Sequence, residues 1–182
     1  MHENRPGTAR ERLLAAALDL FAEHGVSGTS LQMIADRLGV TKAAVYHQFQ
    51  TKDEIVLAVI DPALERLGPI ADHAEAQRGQ IARRDTALAG VVDLVVDQRK
   101  VATTLSFDPV VKRLVRAHPA LRSLHRIRRL LGGTLPDPGS RVRMAVLSGG
   151  LIMAGADPAV AGLDDEDFRD HLLAAARRIL KG

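Results

Sequence analysis

The sequence predicts an all-α protein: an N-terminal three-helix domain built around a helix-turn-helix, then a larger C-terminal helical bundle, about nine helices in all. Two observations carry this. Apolar residues recur at helical spacing through most of the 182-residue chain, and no stretch alternates apolar and polar residues as a half-buried strand does. Aromatics make up only 3% of a chain that is 46% apolar. The core is therefore left to Leu, Val, Ile and Ala, which favours helices over a β-sandwich.

Residues 1–7 are polar and read as a loose arm. Arg5 and Arg10 either follow a nucleic-acid groove from it or belong to a plain tail. Thr8 opens the first helix, with Glu11 at capping-box spacing. Leu13, Leu14, Ala17, Leu18 and Phe21 give that helix an apolar face, and Gly25 is placed to stop it. Thr29 or Ser30 caps a second helix, Leu31–Leu38, with Leu31, Ile34, Ala35 and Leu38 as its stripe. Gly39 supplies the positive φ of a sharp turn. Thr41 caps a short third helix, Lys42–Phe49. Val45 and Phe49 face inward; Lys42, Ala43, Tyr46 and His47 face outward. Ala35 is small enough for the third helix to cross closely over the second, as a helix-turn-helix requires. The domain boundary is set at residue 52, giving segments 1–52 and 53–182.

Thr51 and Glu54 form a second capping box. A long helix follows from Lys52 to about Ala74, kinked at Pro62. Gln77–Gln80 breaks the pattern, and Thr86–Arg99 restores it. Val101–Val115 is ambiguous around Asp108–Pro109. Pro119–Leu131 is helical; Gly132–Ser140, with Pro136 and Pro138, is a loop. Arg141–Ala156 is apolar nearly all round, yet holds Gly149, Gly150 and Gly155. Interior glycines cost a helix on the order of 1 kcal/mol each, so close approach of another helix would explain them. Asp165–Lys181 carries acids in its first turn and bases in its last, matching the helix dipole. Phe168, Leu172, Ala175 and Ile179 form its stripe.

Several function classes have no support. There is no Cys, hence no disulfide and no thiolate metal site. No secretory signal is visible, and the longest apolar run, Met144–Ala156, is shorter than the roughly 20 residues a bilayer needs. A cytoplasmic protein without membrane association is expected. No nucleophile–base constellation, phosphate-binding glycine loop or H-E-x-x-H pair is present, so neither an enzyme nor a cofactor or metal is expected. Net charge is +3, unevenly spread. Residues 1–60 hold six Lys/Arg against seven Asp/Glu, and residues 99–129 hold nine against one.

Residues 8–55 resemble the N-terminal domain of the TetR family of transcriptional regulators. The match runs through Leu14, Ala17, Phe21 and Gly25, then Thr29, Ile34 and Ala35. It continues through Gly39-Val40-Thr41-Lys42, Val45-Tyr46, Phe49 and Lys52. It covers about a quarter of the chain; beyond it the likeness lies in helicity and length. Two departures fall in the third helix: Ala43-Ala44 where the family often has Gly-Thr, and Gln48 where it often has His.

The resemblance implies a repressor that binds double-stranded DNA at a palindromic operator as a homodimer and answers to a small-molecule effector. A recognition helix docks its N-terminal residues in the major groove. Lys42 is placed for a guanine edge or a phosphate, and Ala44 for a thymine methyl. Tyr46 is placed for the phosphate backbone, and His47 for a phosphate or a base edge. Lys52, at the start of the fourth helix, has a phosphate as its natural partner. Thr29, Ser30 and Gln32 sit where the second helix meets the backbone, and Thr41 heads the third. Thr29 and Ser30 also serve as caps.

An effector pocket is expected among Leu67, Leu88, Val92, Leu105, Phe107 and Leu124, with His73, His118 or His125 as polar anchors; plain core packing explains the same apolar residues. The expected dimer face takes Val146, Gly149, Gly150 and Met153 from one helix and Phe168, Leu172, Ala175 and Ile179 from the last. Arg122, Arg126 and Arg129 share a helix face, which is either a solvated surface or a lure for an anionic effector or DNA. The competing functions are a small helical enzyme and a protein-interaction module. Neither requires the motif of residues 29–52.

Overall fold

The computed structural model describes residues 8–132 and 137–181. The expected arm over residues 1–7, Arg5 and the loop residue Pro136 lie outside them. The described residues form ten α-helices and one 3₁₀ turn, with no strand. The helices are α1 (Ala9–Gly28), α2 (Leu31–Leu38), α3 (Lys42–Gln48), α4 (Lys52–Glu75) and α5 (Gln80–Asp97). Then come α6 (Arg99–Leu105), α7 (Pro109–Ala117), α8 (Leu121–Gly132), α9 (Pro138–Ala154), the 3₁₀ turn Pro158–Val160 and α10 (Asp165–Lys181).

Local chemistry explains most of these bounds. Thr8 Oγ1 accepts the Glu11 N–H and the Glu11 carboxylate accepts the Thr8 N–H, which completes the capping box of α1. Thr51 Oγ1 accepts the Glu54 N–H, but the Glu54 carboxylate reaches back to the N–H of Gln50 instead of Thr51. α4 continues through Pro62 and on through Pro69. α5 begins at Gln80, a turn and a half before the expected start at Thr86. Its first turn presents Ile81 to solvent and so lacks the apolar stripe that marks a helix in sequence. The ambiguous stretch resolves into two helices. Asp108 accepts the N–H groups of Val110 and Val111, and Pro109 stands first in α7, where its missing N–H costs nothing. α9 starts at Pro138, inside the expected loop, because Asp137 caps it through Gly139 and Ser140.

The chain forms two compact units. The first takes the residues up to Asp61 together with Thr104–Leu114; the second takes Pro62–Thr103 and the residues from Val115 onward. The division thus falls inside α4 rather than at residue 52. Ile55, Val56, Val59 and Ile60 of α4 are buried in the first unit, as are Leu105 and Val111 from the later segment. In the second unit α5 is central and packs against α8, α9 and α10. Leu88, Val92, Ile127, Leu131, Leu147, Leu151, Phe168 and Leu172 belong to one buried cluster there. Arg99 ties this unit together: Nε donates to the Gly155 carbonyl at 2.9 Å, and the guanidinium lies 4.3 Å from the Phe168 ring centre. No helix among the described residues is long and apolar enough to cross a membrane.

Candidate nucleic-acid interface

The first unit builds its exposed helix from the turn outward. Ser30 Oγ accepts the Met33 N–H and starts α2. Gly39 ends it in the left-handed region, at φ 65° and ψ 31°. Val40 N–H bonds the Ala35 carbonyl at 3.0 Å and Gly39 N–H the Asp36 carbonyl at 3.2 Å, the paired pattern of a Schellman turn. Thr41 Oγ1 then accepts the Ala44 N–H at 3.2 Å and starts α3 at once. Two helices are thereby joined by three residues, with the angle fixed by backbone bonds.

The two faces of α3 separate cleanly. Val45 and the following Phe49 are buried, along with Ile34 and Ala35 of α2. Lys42, Ala43, Ala44, Tyr46 and His47 are exposed. Tyr46 keeps 43% of its surface in solvent. The Lys42 ammonium sits 5.6 Å from its ring centre. A cation and a ring therefore share the outer face, and neither is needed by the core.

Two sequence expectations are corrected here. Thr29 is 2% exposed, and its hydroxyl donates to the Leu20 and Gly25 carbonyls at 3.1 and 2.9 Å. It locks the end of α1 and has no side-chain surface for DNA. Lys52 is half-buried, with its ammonium on the Ser27 and Thr29 carbonyls at 3.2 and 2.8 Å. It draws α4 onto the end of α1, which leaves one N–H for any phosphate. Ser30, Gln32 and Thr41 are exposed, although the Gln32 amide donates to Asp36 at 2.7 Å.

Part of the acidic balance of this unit is met by pairing with arginine. Glu23 takes two hydrogen bonds from Arg37, at 3.2 and 2.7 Å, which hold its carboxyl below the usual carboxylate range. Asp53 pairs with Arg113 at 2.8 Å. Asp36, Glu11 and Glu54 accept from Gln32, Thr8 and Gln50. These carboxylates are engaged within the unit, while Lys42 lies beside the Tyr46 ring. Sequence reasoning missed Asp108 and Arg113, which reach this unit from the far side of the chain. The Asp-Pro pair was the available signal, since Asp before Pro suits a helix start as well as a break.

The remaining expectations fall in different places. Leu67, Leu88, Val92 and Leu124 lie in or against the second unit's core, whereas Leu105 and Phe107 belong to the first unit. The six therefore do not form one site within either unit. His73 and His125 are exposed, and His118 Nδ1 accepts the Ala120 N–H at 3.1 Å. Of the expected dimer face, Val146, Gly150, Met153 and Ala175 are exposed, and Gly149 and Ile179 are half-buried. Phe168 and Leu172 are not available to a partner: both are buried in their own chain's core. Arg126 pairs with Asp72 and Glu75, while Arg122 and Arg129 are exposed.

Comparisons with known proteins agree with this reading of the first unit. Residues 13–59 match the family described as bacterial regulatory proteins, tetR family. The HTH-type transcriptional repressor KstR2 of Mycolicibacterium smegmatis is 33% identical over 64 residues, 35% of this chain and 31% of that protein. The HTH-type transcriptional repressor Rv3405c of Mycobacterium tuberculosis is 38% identical over 90 residues, 43% of this chain and 47% of that protein. The matches thus span less than half the length of these relatives. The crystal structure of PfmR, a TetR family regulator from Thermus thermophilus, covers 94% of this chain and 98% of its own at 21% identity, with a TM-score of 0.66. KstR2 of Mycobacterium tuberculosis covers 98% and 96% at 17% identity, with a TM-score of 0.68. At these identities the structural likeness fixes the fold.

Proposed function

Because the chain belongs to the TetR family of bacterial regulatory proteins, we propose that it is a DNA-binding transcriptional repressor. It acts as a homodimer on a palindromic operator and is released by a small effector. The observation that carries this reading is the outer face of α3. Lys42, Tyr46 and His47 stand exposed on a helix whose opposite face is buried and whose entry turn is fixed by hydrogen bonds. Side chains on a rigid, pre-set helix meet base edges and phosphates without further ordering, which is what groove docking needs. Ser30, Gln32 and Thr41 flank it on the phosphate side, with Ala44 against a thymine methyl and Lys52 as an auxiliary phosphate donor.

The second unit supplies the dimer contact through the exposed residues of α9 and through Ala175 and Ile179 of α10. An effector that favours the conformation with mismatched reading heads lowers operator affinity by shifting the population. Such a regulator works in the cytoplasm, where its operator is.

Selection of bound sequences from a random double-stranded library, at physiological salt with competitor DNA, tests the proposal. The expected product is a palindrome with half-sites about one helical turn apart. Its affinity should fall with salt at a log–log slope of about −0.9 per phosphate contacted. A folded, dimeric chain that enriches no sequence and shows a flat salt response sinks the reading.

A further inference from the structure

Away from the helix-turn-helix, the second unit holds a cavity of about 340 Å³ between the first turn of α5, the C-terminal ends of α8 and α10 and the start of α9. None of the residues expected from sequence to hold an effector lines it. Its wall has three features that favour an anion. Gly79 caps α5 without any side-chain hydrogen bond, and Gln80 and Ile81 of that uncapped first turn, the positive end of an 18-residue helix, line the cavity. Arg84, one turn further, has its Nε buried with no hydrogen-bond partner. The side chain as a whole is only partly buried and lines the cavity, so its terminal guanidinium N–H groups, which carry no ion pair among the described residues, are the donors a carboxylate there would meet. Among the described residues no Asp or Glu lines the cavity. Asp137, close by, already accepts from Gly139, Ser140 N–H and Ser140 Oγ. Arg143 lines the cavity too and donates to Ser140 Oγ at 2.8 Å.

The apolar part of the wall is Ile81, Leu130, Leu131, Met144 and Leu180, and Gln80 and Ser140 also line the cavity. Ile81 is 71% exposed, the most exposed large apolar side chain among the described residues. We propose that this cavity binds a small organic monoanion, with a carboxylate on Arg84 and a short alkyl chain or ring against Ile81, Leu130, Met144 and Leu180. The volume lies near the lower end of ligand pockets, roughly 300–1,000 Å³, which suits a medium-chain or aromatic acid over a long-chain one. The site lies outside the helix-turn-helix and does not depend on the chain binding DNA.

The test is titration of the full-length chain with octanoate and with octanamide, its neutral counterpart of the same shape, in the absence of DNA. Calorimetry gives affinity and stoichiometry. The methyl NMR signal of Met144, assigned through Met144→Leu, gives location. Octanoate should bind saturably at one site per chain and shift the Met144 methyl, and octanamide should bind at least about tenfold more weakly. Arg84→Met keeps the aliphatic stem and should weaken octanoate by a similar factor, while Arg84→Lys keeps part of the binding. Equal affinity for the two ligands, binding that survives Arg84→Met, or no saturable octanoate binding at millimolar concentration overturns the proposal. If Arg84→Met does not fold, the contrast between the ligands on the parent chain decides.

Discussion

The backbone N–H of Val26 donates to the carboxylate of Asp108 at 3.3 Å, across 82 residues of sequence. The cause lies one residue earlier. Gly25, at φ 69° and ψ 165°, takes the backbone out of the α1 ladder. A break of this kind leaves the N–H that follows in need of an outside acceptor. Oδ2 of Asp108 meets it, and Oδ1 of the same carboxylate starts α7 through Val110 at 2.8 Å. One side chain therefore fixes both the exit from α1, just before α2, and the entry to α7.

Asp108→Ala removes a helix cap and leaves the Val26 N–H without its acceptor. A cap is typically worth about 1 kcal/mol, and an orphaned donor about another. A loss of about 2 kcal/mol in unfolding free energy is expected from urea denaturation. Asp108→Asn keeps one oxygen acceptor and should lose about half of that. A midpoint unchanged in Asp108→Ala would show that neither bond matters in solution.

Thr29→Val separates a structural role from a DNA-reading one. Valine keeps the shape and removes the hydroxyl that now bonds Leu20 and Gly25 carbonyls. About 1–2 kcal/mol of stability should go, while Thr29→Ser keeps the donor and most of the stability. Unaltered stability together with weaker operator binding would return Thr29 to the interface.

Tyr46→Ala should behave in the opposite way. The ring is largely outside the core, so the fold should persist. Operator binding weakens by about 1–3 kcal/mol. Lys42→Ala should lower the salt slope of binding by about 1 if its partner is a phosphate, or relax one base preference if it is a guanine. Unchanged affinity in both variants would place the reading face elsewhere.

The helix-turn-helix is legible in sequence because its determinants are local. Ser30 and Thr41 as caps, Gly39 as the left-handed turn, and Val45 with Phe49 as inward positions need only neighbours within a few residues. What is not legible depends on the third dimension. A Thr before a helix looks like a cap, and only the position of the Leu20 and Gly25 carbonyls shows that Thr29 turns inward. Lys52 at a helix start looks like a phosphate ligand until Ser27 and Thr29 are found beneath it. The stripe Phe168–Leu172 shows that a face is covered but not by what; the cover is the same chain. The first turn of α5 is hidden because the fold leaves Ile81 largely uncovered.

Acid should weaken the second unit through one cluster. Arg126 donates to Glu75 at 3.0 and 2.6 Å and to Asp72 at 2.6 Å. Hydrogen bonding to Arg126 holds the Glu75 carboxyl below its usual range. A carboxyl depressed in the folded state adds stability that is full above the unfolded value, about 4.3, and is lost as pH falls through the folded value. Arg126→Met deletes this contribution. The gap between parent and variant denaturation midpoints should be constant near neutrality and close below about pH 4. Both acids are well exposed, at 68% and 42%, so the gap is small and shrinks with salt. A gap that persists at low pH would assign the effect to packing of the arginine stem.

Gly150→Ala discriminates a lone helix from a dimer face. Within the single chain nothing lies within 4 Å of a Cβ built at Gly149 or Gly150. On that ground alone Ala should stabilise α9 by about 0.5–1 kcal/mol, through lower backbone entropy in the unfolded chain. The neighbouring exposed residues Val142, Val146 and Met153 make the same face apolar. If a second copy packs its backbone there, the added methyl must push the two helices apart, and overpacking typically costs about 1–3 kcal/mol. The expected outcome is a dimer dissociation constant raised roughly tenfold or more, read by sedimentation over a dilution series. A variant that dimerises as tightly as its parent and melts at a higher temperature would mean that the glycines are not there for a partner helix.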